Sequence, residues 1–72
     1  MSEIKQGIVK FFNDSKGFGF IVPSEGGADL FVYRRNINKN KIGLRTLSDN
    51  QAVEFEVEEN DRGFVAVNVT PK

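Results

Sequence analysis

Five short runs of β-branched and aromatic residues, separated by turn-forming residues, constrain this 72-residue chain most strongly. The runs cover residues 5–13, 17–23, 29–34, 51–59 and 64–70. Runs of this kind, closed by Gly, Pro, Asn, Asp and Ser, predict β-strands. No stretch shows a helical repeat of apolar residues of useful length. The chain is therefore predicted to be all-β.

The number and length of the strands restrict the architecture further. Residues 1–72 suffice for one domain, and five strands of this length cannot enclose a useful interior between two separate sheets. A single sheet curled into a small barrel buries one face of every strand and protects its edges. We therefore expect a single-domain barrel. The connection 35–50 has room for a short helical turn, although its Asn and Gly content favours an irregular loop.

Charged residues indicate which side of each predicted strand faces water. Alternate side chains of a strand share a face, and an unpaired carboxylate is costly to bury. Asp29 therefore places Phe31 and Tyr33 on the exposed face and sends Leu30 and Val32 into the core. Applied to every strand, the same rule predicts a core of Val9, Ile21, Leu30, Val32, Val53, Phe55, Val57, Val65, Val67 and Val69.

The remaining aromatic residues are assigned by elimination. The stretch GFGF (17–20) fits either parity, but the other strands fill the core and leave Phe18 and Phe20 outside. Lys10 shares parity with Phe12 and places that ring on the exposed face, although a bulge in this strand would change the parity. Phe11 fits either side of such a bulge, and Phe64 is expected to pack against the protein. The predicted exposed patch contains Phe12, Phe18, Phe20, Phe31 and Tyr33, beside Lys10 and Lys16.

An exposed aromatic patch flanked by cations indicates an interaction surface. Single-stranded nucleic acid offers bases that stack on rings and phosphates that pair with Lys and Arg. A protein partner that docks on the rings is the alternative. Net charge is zero, but residues 1–47 hold eight basic and four acidic residues, whereas residues 48–72 hold two and six. The chain is thus polarised, with one basic side. The basic residues of the long connection and its start fit either a solvated loop or phosphate contacts: Arg34, Arg35, Lys39, Lys41 and Arg45.

Several function classes lose support from residues that the chain lacks. Without His or Cys there is no imidazole base, no Ser–His or Cys–His pair, and no thiolate or imidazole metal ligand. We expect no enzymatic activity, no metal, no cofactor and no small-molecule substrate. No apolar run approaches the ~20 residues of a membrane span, and the first residues lack the apolar stretch of a secretory signal. We expect a cytoplasmic monomer with no membrane partner.

The motifs KGFGFI (16–21) and DLFVY (29–33) resemble the two ribonucleoprotein motifs of bacterial cold-shock proteins, and GIVKFFN (7–13) resembles their opening strand. The resemblance runs from Gly7 to Thr70. It implies a five-stranded antiparallel barrel of the oligonucleotide-binding (OB) fold. It also implies a protein that binds single-stranded RNA and DNA, melts weak RNA structure as a chaperone, and can act as a transcription antiterminator or translation regulator in the cold-shock response.

The resemblance also implies which positions bind nucleic acid. The matching residues are Lys10, Phe11, Phe12, Asn13, Lys16, Phe18, Phe20, Asp29, Phe31 and Tyr33, with Arg62 at a further position linked to nucleic acid in relatives. Departures from the family pattern include Phe11 in place of Trp, Tyr33 in place of His, Arg34 in place of Phe and Leu44 in place of an aromatic residue in a longer loop. Because the Arg34 guanidinium can stack on a base or meet a phosphate, it joins the predicted site. The departures predict a site shifted from stacking toward charge.

Overall fold

A computed structural model describes residues 3–39, 43–61 and 63–72. The strands are β1 (Lys5–Asn13), β2 (Phe18–Pro23), β3 (Leu30–Tyr33), β4 (Ala52–Asn60) and β5 (Gly63–Pro71). They close into a barrel in the order β1-β2-β3-β5-β4, which confirms the predicted all-β barrel. A 3-10 turn, Arg34–Asn36, follows β3, so the connection begins with the short helical turn that its composition disfavoured. Within the described ranges, no helix has the length and apolarity needed to cross a membrane.

One junction departs from the antiparallel barrel that the resemblance implies. β3 and β5 run parallel, with Phe31 beside Val65 and Val32 beside Ala66, whereas the other four neighbouring pairs are antiparallel. A closed ring with an odd number of strands cannot alternate direction all the way round. At least one neighbouring pair must therefore be parallel, and the expectation of a wholly antiparallel barrel is wrong at this junction.

The barrel interior is filled by aliphatic side chains and one aromatic ring. Its buried cluster contains Val9, Ile21, Leu30, Val32, Ile37, Leu47, Val53, Phe55, Ala66 and Val69, with Val57 packed against it. Ile37 and Leu47 come from the long connection, where strand parity gives no information. Ile37 forms a parallel bridge with Val69, which holds the start of this connection beside β5.

β5 departs from the alternation predicted for Val65, Val67 and Val69. Val69 is buried, but Val67 is half-exposed, and Val65 is buried outside the interior cluster. Ala66 takes the interior place instead. The change of side occurs near Asn68, whose φ of 54° accompanies a register shift between β4 and β5. An extra residue in one strand reverses the faces on either side of it, and this bulge explains the error.

Candidate nucleic-acid interface

Five aromatic rings lie side by side on the outer surface of β1, β2 and β3. We call this surface the aromatic face, and it consists of Phe11, Phe18, Phe20, Phe31 and Tyr33. Strand register sets their positions, because Phe20 lies opposite both Phe11 and Phe31, and Phe18 lies opposite Tyr33. Residues directly opposite in neighbouring strands are close enough for aromatic side chains to touch.

The ring geometry makes Phe31 the centre of the aromatic face. Its centroid lies 4.7 Å from that of Phe20, 5.0 Å from that of Tyr33 and 5.4 Å from that of Phe18. The planes of Phe18 and Phe31 differ by only 16°. Phe11 extends the row over β1, with its centroid 5.5 Å from that of Phe20. The parity argument from Asp29 therefore placed Phe31 and Tyr33 on the correct side, and the elimination argument did the same for Phe18 and Phe20.

A bulge at Lys10 decides which phenylalanine of β1 joins the aromatic face. Val9 lies opposite Ile21 and Phe11 lies opposite Phe20, so β1 holds one residue more than β2 between these pairs. One extra residue moves the following side chains to the other face. Phe11 consequently lies outside, with 37% of its surface exposed.

The prediction that Phe12 lies on the exposed face is wrong. Phe12 is half-buried, lies opposite Gly19 and packs against the interior cluster. A Cβ atom on Gly19 would lie 2.2 Å from the carbonyl oxygen of Phe11 and 2.8 Å from Cα of Phe12. Glycine is thus required for β1 and β2 to approach this closely. The Arg34 guanidinium lies 6.0 Å from the Phe12 ring centroid.

Arg34 and Asn13, both predicted site residues, hold the turn between β1 and β2. The Asn13 side-chain oxygen accepts a hydrogen bond from the Lys16 backbone N–H at 3.0 Å. Arg34 donates to the backbone carbonyl of Asp14, and its guanidinium lies 3.6 Å from the Asp14 carboxylate. Thr46 also donates to that carboxylate, at 2.6 Å. The guanidinium of Arg34 is therefore partly engaged within the protein.

Arg35 extends the aromatic face. From the sequence, its side chain fitted either a solvated loop or a phosphate contact. Its guanidinium carbon lies 4.9 Å from the centroid of Tyr33, within cation–π distance. The 3-10 turn after β3 brings it there, and the direction of that turn could not be predicted from the sequence. Lys16, Arg34 and Arg35 line a shallow depression of ≈ 340 Å³ at this end of the row. Positive charge thus gathers beside Tyr33.

The opposite edge of the aromatic face carries an exposed ion pair. Lys10 Nζ lies 3.1 Å from Asp29 Oδ2, and both side chains are substantially exposed. Exposed pairs of this kind contribute about 0–1 kcal/mol, so both groups remain accessible to a ligand. The predicted site residue Arg62 and the basic loop residue Lys41 lie outside the described residues.

A groove of ≈ 640 Å³ lies beside the aromatic face, next to β3 and β5. Phe20, Phe31 and Tyr33 contribute to its wall, as does Phe64 from β5. Phe64 has 57% of its surface exposed, so the expectation that it packs against the protein is wrong. It stands at the start of β5, beyond the interior cluster, where strand parity no longer implies burial. The sequence feature that pointed to this exposure was the position of Phe64 directly after the turn glycine Gly63.

Residues 5–72 match the family described as the 'Cold-shock' DNA-binding domain. The chain is 53% identical over 70 residues to Cold shock-like protein CspC of Shigella flexneri, across 97% of both chains. It is 49% identical over 69 residues to Cold shock-like protein CspG of Escherichia coli (strain K12), across 96% of both.

A solved structure shows the same fold at lower sequence identity. The structure titled "drosophila Unr CSD456" superposes with a TM-score of 0.77 at 24% identity, covering 97% of this chain and 27% of that one. This similarity concerns the fold alone. The family match and the near full-length relatives confirm the resemblance read from the KGFGFI and DLFVY motifs, and the chain belongs to the family of cold-shock, nucleic-acid-binding domains.

Proposed function

We propose that this protein binds single-stranded RNA and DNA by stacking bases on the aromatic face. The observation that carries the proposal is the row of five contacting rings on the outside of a small barrel. Rings that stabilised only the fold would pack inward with Phe55, which is 1% exposed. A contiguous apolar patch on the outside is typical of an interaction surface.

The geometry favours single strands over duplexes. Only an unpaired, unstacked base exposes a flat face to a side chain, and each such stack contributes about 1–3 kcal/mol. The entropy lost when a flexible strand is ordered offsets much of the summed stacking free energy. Four or five stacks therefore correspond to about micromolar to nanomolar affinity. Because every base has a flat face, we propose broad sequence tolerance.

Charge around the barrel would keep the strand on β1, β2 and β3. Lys10, Lys16 and Arg35 lie at the edges of the aromatic face, where they can meet phosphates. β4 borders β1 and β5 but neither β2 nor β3, and its outer side carries Glu54 and Glu56. Glu54 lies 3.9 Å from Lys72, and Glu56 accepts a hydrogen bond from Asn68. Carboxylates on that side would repel a phosphate backbone.

We propose further that the protein acts as an RNA chaperone. A base held on the aromatic face is unavailable to a hairpin, so binding lowers the population of weak hairpins by mass action. This mechanism needs no nucleotide hydrolysis. Melting of weak hairpins in nascent or translated RNA is also how such a protein would act in transcription antitermination or translation control.

The test is a titration of a short, unstructured oligonucleotide against the wild-type chain, Phe18→Ala, Phe31→Ala and a control, Ile4→Ala. Ile4 is 66% exposed and lies away from the aromatic face, near Glu54 and Thr70. We expect Phe31→Ala to weaken binding most, since three rings contact Phe31, and Ile4→Ala to bind like wild type. Equal affinity across all four chains would contradict the proposal. If the rings instead dock a protein, affinity for oligonucleotides will be low and independent of salt.

A further inference from the structure

Phe64 is a large apolar side chain that the fold leaves in water. It is 57% exposed, a larger fraction than Phe11 shows at the edge of the aromatic face. The ring does not belong to the interior cluster and is not part of the ring contacts that join the aromatic face. Burying it would have stabilised a small barrel. An exposed ring beside an aromatic surface is therefore a candidate binding group.

The parallel junction of β3 and β5 sets the position of Phe64. Val65 lies beside Phe31, so Phe64 stands one residue earlier on β5, next to the start of β3. Phe20, Phe31, Tyr33 and Phe64 line the same groove of ≈ 640 Å³. Val65, only 7% exposed, also contributes to its surface. The groove thus continues the aromatic face from β3 onto β5.

We propose that Phe64 forms an additional stacking subsite for one base of the same single strand. The inference rests on the proposed function. The groove is continuous with the aromatic face, and its volume is within the range of sites that hold small, mostly buried ligands (about 300–1,000 Å³). Lys5 and Glu25 also line the groove, and their side chains form an ion pair with 3.4 Å between Lys5 Nζ and Glu25 Oε2. A strand that leaves Phe31 toward β5 therefore meets a second ring across the groove.

The first test compares Phe64→Ala, Phe64→Leu and Ile4→Ala for affinity to an unstructured oligonucleotide of about eight to ten nucleotides, long enough to pass all the rings. Phe64→Ala should weaken binding by about 5- to 150-fold, the equivalent of one lost stack. Phe64→Leu should weaken it nearly as much, because leucine keeps the apolar bulk but not the flat ring. Ile4→Ala should match wild type. All three variants should keep the wild-type melting temperature, since both side chains are mostly exposed.

A scan with single abasic nucleotides locates the subsite. In the wild-type chain, each abasic position that removes a stacked base should weaken binding. In Phe64→Ala, one of these positions should lose its effect while the others keep theirs. A scan that stays unchanged in Phe64→Ala would overturn the inference.

The absence of tryptophan from the chain allows a direct optical test. Phe64→Trp places one fluorophore at the subsite, and Ile4→Trp places one away from it. Titration with an unlabelled oligonucleotide should quench the first and leave the second unchanged. The inference fails if wild type binds and both Phe64→Ala and Phe64→Leu bind as tightly as wild type, or if the fluorescence of Phe64→Trp is not quenched. Failure of wild type to bind at all would instead reject the proposed function, so the two failures are distinguishable.

Discussion

The neighbours Phe11 and Phe12 should separate binding from stability, because consecutive side chains of a strand point to opposite faces and the bulge at Lys10 places Phe11 on the outer one. Phe11 lies on the aromatic face, 5.5 Å from Phe20. Phe12 packs against the interior cluster over Gly19. Truncation of each to alanine removes the same atoms from two different environments. We expect Phe11→Ala to lose affinity and Phe12→Ala to lose stability.

The expected magnitudes follow from burial. A fully buried Phe truncated to alanine costs about 3–5 kcal/mol, so the half-buried Phe12 should cost about 2 kcal/mol. In a domain of this size that corresponds to a melting temperature about 8–16 °C lower. Phe11→Ala removes the edge contact with Phe20, worth about 0.5–1.5 kcal/mol. It also removes one stacking platform, which should weaken binding by about 5- to 150-fold.

Thermal unfolding by circular dichroism and oligonucleotide titration at 10 °C give the two readouts. Phe12→Leu is the matched control, since it refills much of the space over Gly19 and should recover most of the melting temperature. Phe11→Leu should stay stable but bind weakly, because it lacks the ring. If Phe12→Ala binds more weakly than Phe11→Ala while keeping the wild-type melting temperature, the bulge at Lys10 is misplaced and the reasoning is wrong.

Further predictions concern packing, cations, salt and pH. Gly19→Ala should destabilise the fold by about 3 kcal/mol in urea unfolding, because its Cβ would overlap the Phe11 carbonyl; wild-type stability would refute the close approach. Arg35→Ala should weaken binding more than Arg34→Ala, since Arg34 is engaged by Asp14 whereas Arg35 stacks on Tyr33; the reverse order would show that the Asp14 contacts do not hold Arg34 away from the ligand. The slope of log affinity against log salt should be shallow, about −1 to −3, because few cations border the aromatic face; a much steeper slope would show that phosphate contacts dominate. Since the chain has no histidine, affinity should be nearly constant from about pH 6 to 7.5, where an unperturbed imidazole titrates; a clear step in a pH series would contradict this.

Much of the site could be predicted because one carboxylate indicates which alternate side chains of its strand face water. Asp29 placed Phe31 and Tyr33 outside, and the filled core then left no room for Phe18 and Phe20. The all-β barrel followed from run lengths and turn residues alone. These inferences used only alternation along a strand, which holds wherever the strand is regular.

The wrong assignments of side chains to faces concern strands in which a β-bulge interrupts the alternation of inward and outward residues. The stretch KFF (10–12) fits a regular strand and a bulged one equally well, so Phe12 was assigned to the wrong face. The bulge near Asn68 likewise explains why Val67, predicted to lie in the core, is half-exposed. A bulge is fixed by pairing with a neighbouring strand, and the local sequence pattern carries no record of that register.

Contacts between distant segments were also beyond sequence reasoning. The link between Arg34 and Asp14 joins residues 20 positions apart. The exposure of Phe64 depends on the parallel junction of β3 and β5. At least one parallel pair could be predicted, since five strands cannot alternate in direction around a closed ring. Which pair is parallel could not be predicted from the sequence.

We propose that the aromatic face captures unpaired bases. The most direct test measures the affinity of the wild-type chain for one unstructured oligonucleotide and for the same oligonucleotide annealed to its complement, at a single salt concentration. Both ligands carry phosphates, but only the single strand offers free base faces. We predict that the single strand binds at least about fivefold more tightly, since even one stack at the low end of about 1–3 kcal/mol gives that ratio. Equal affinity for the two would contradict the account.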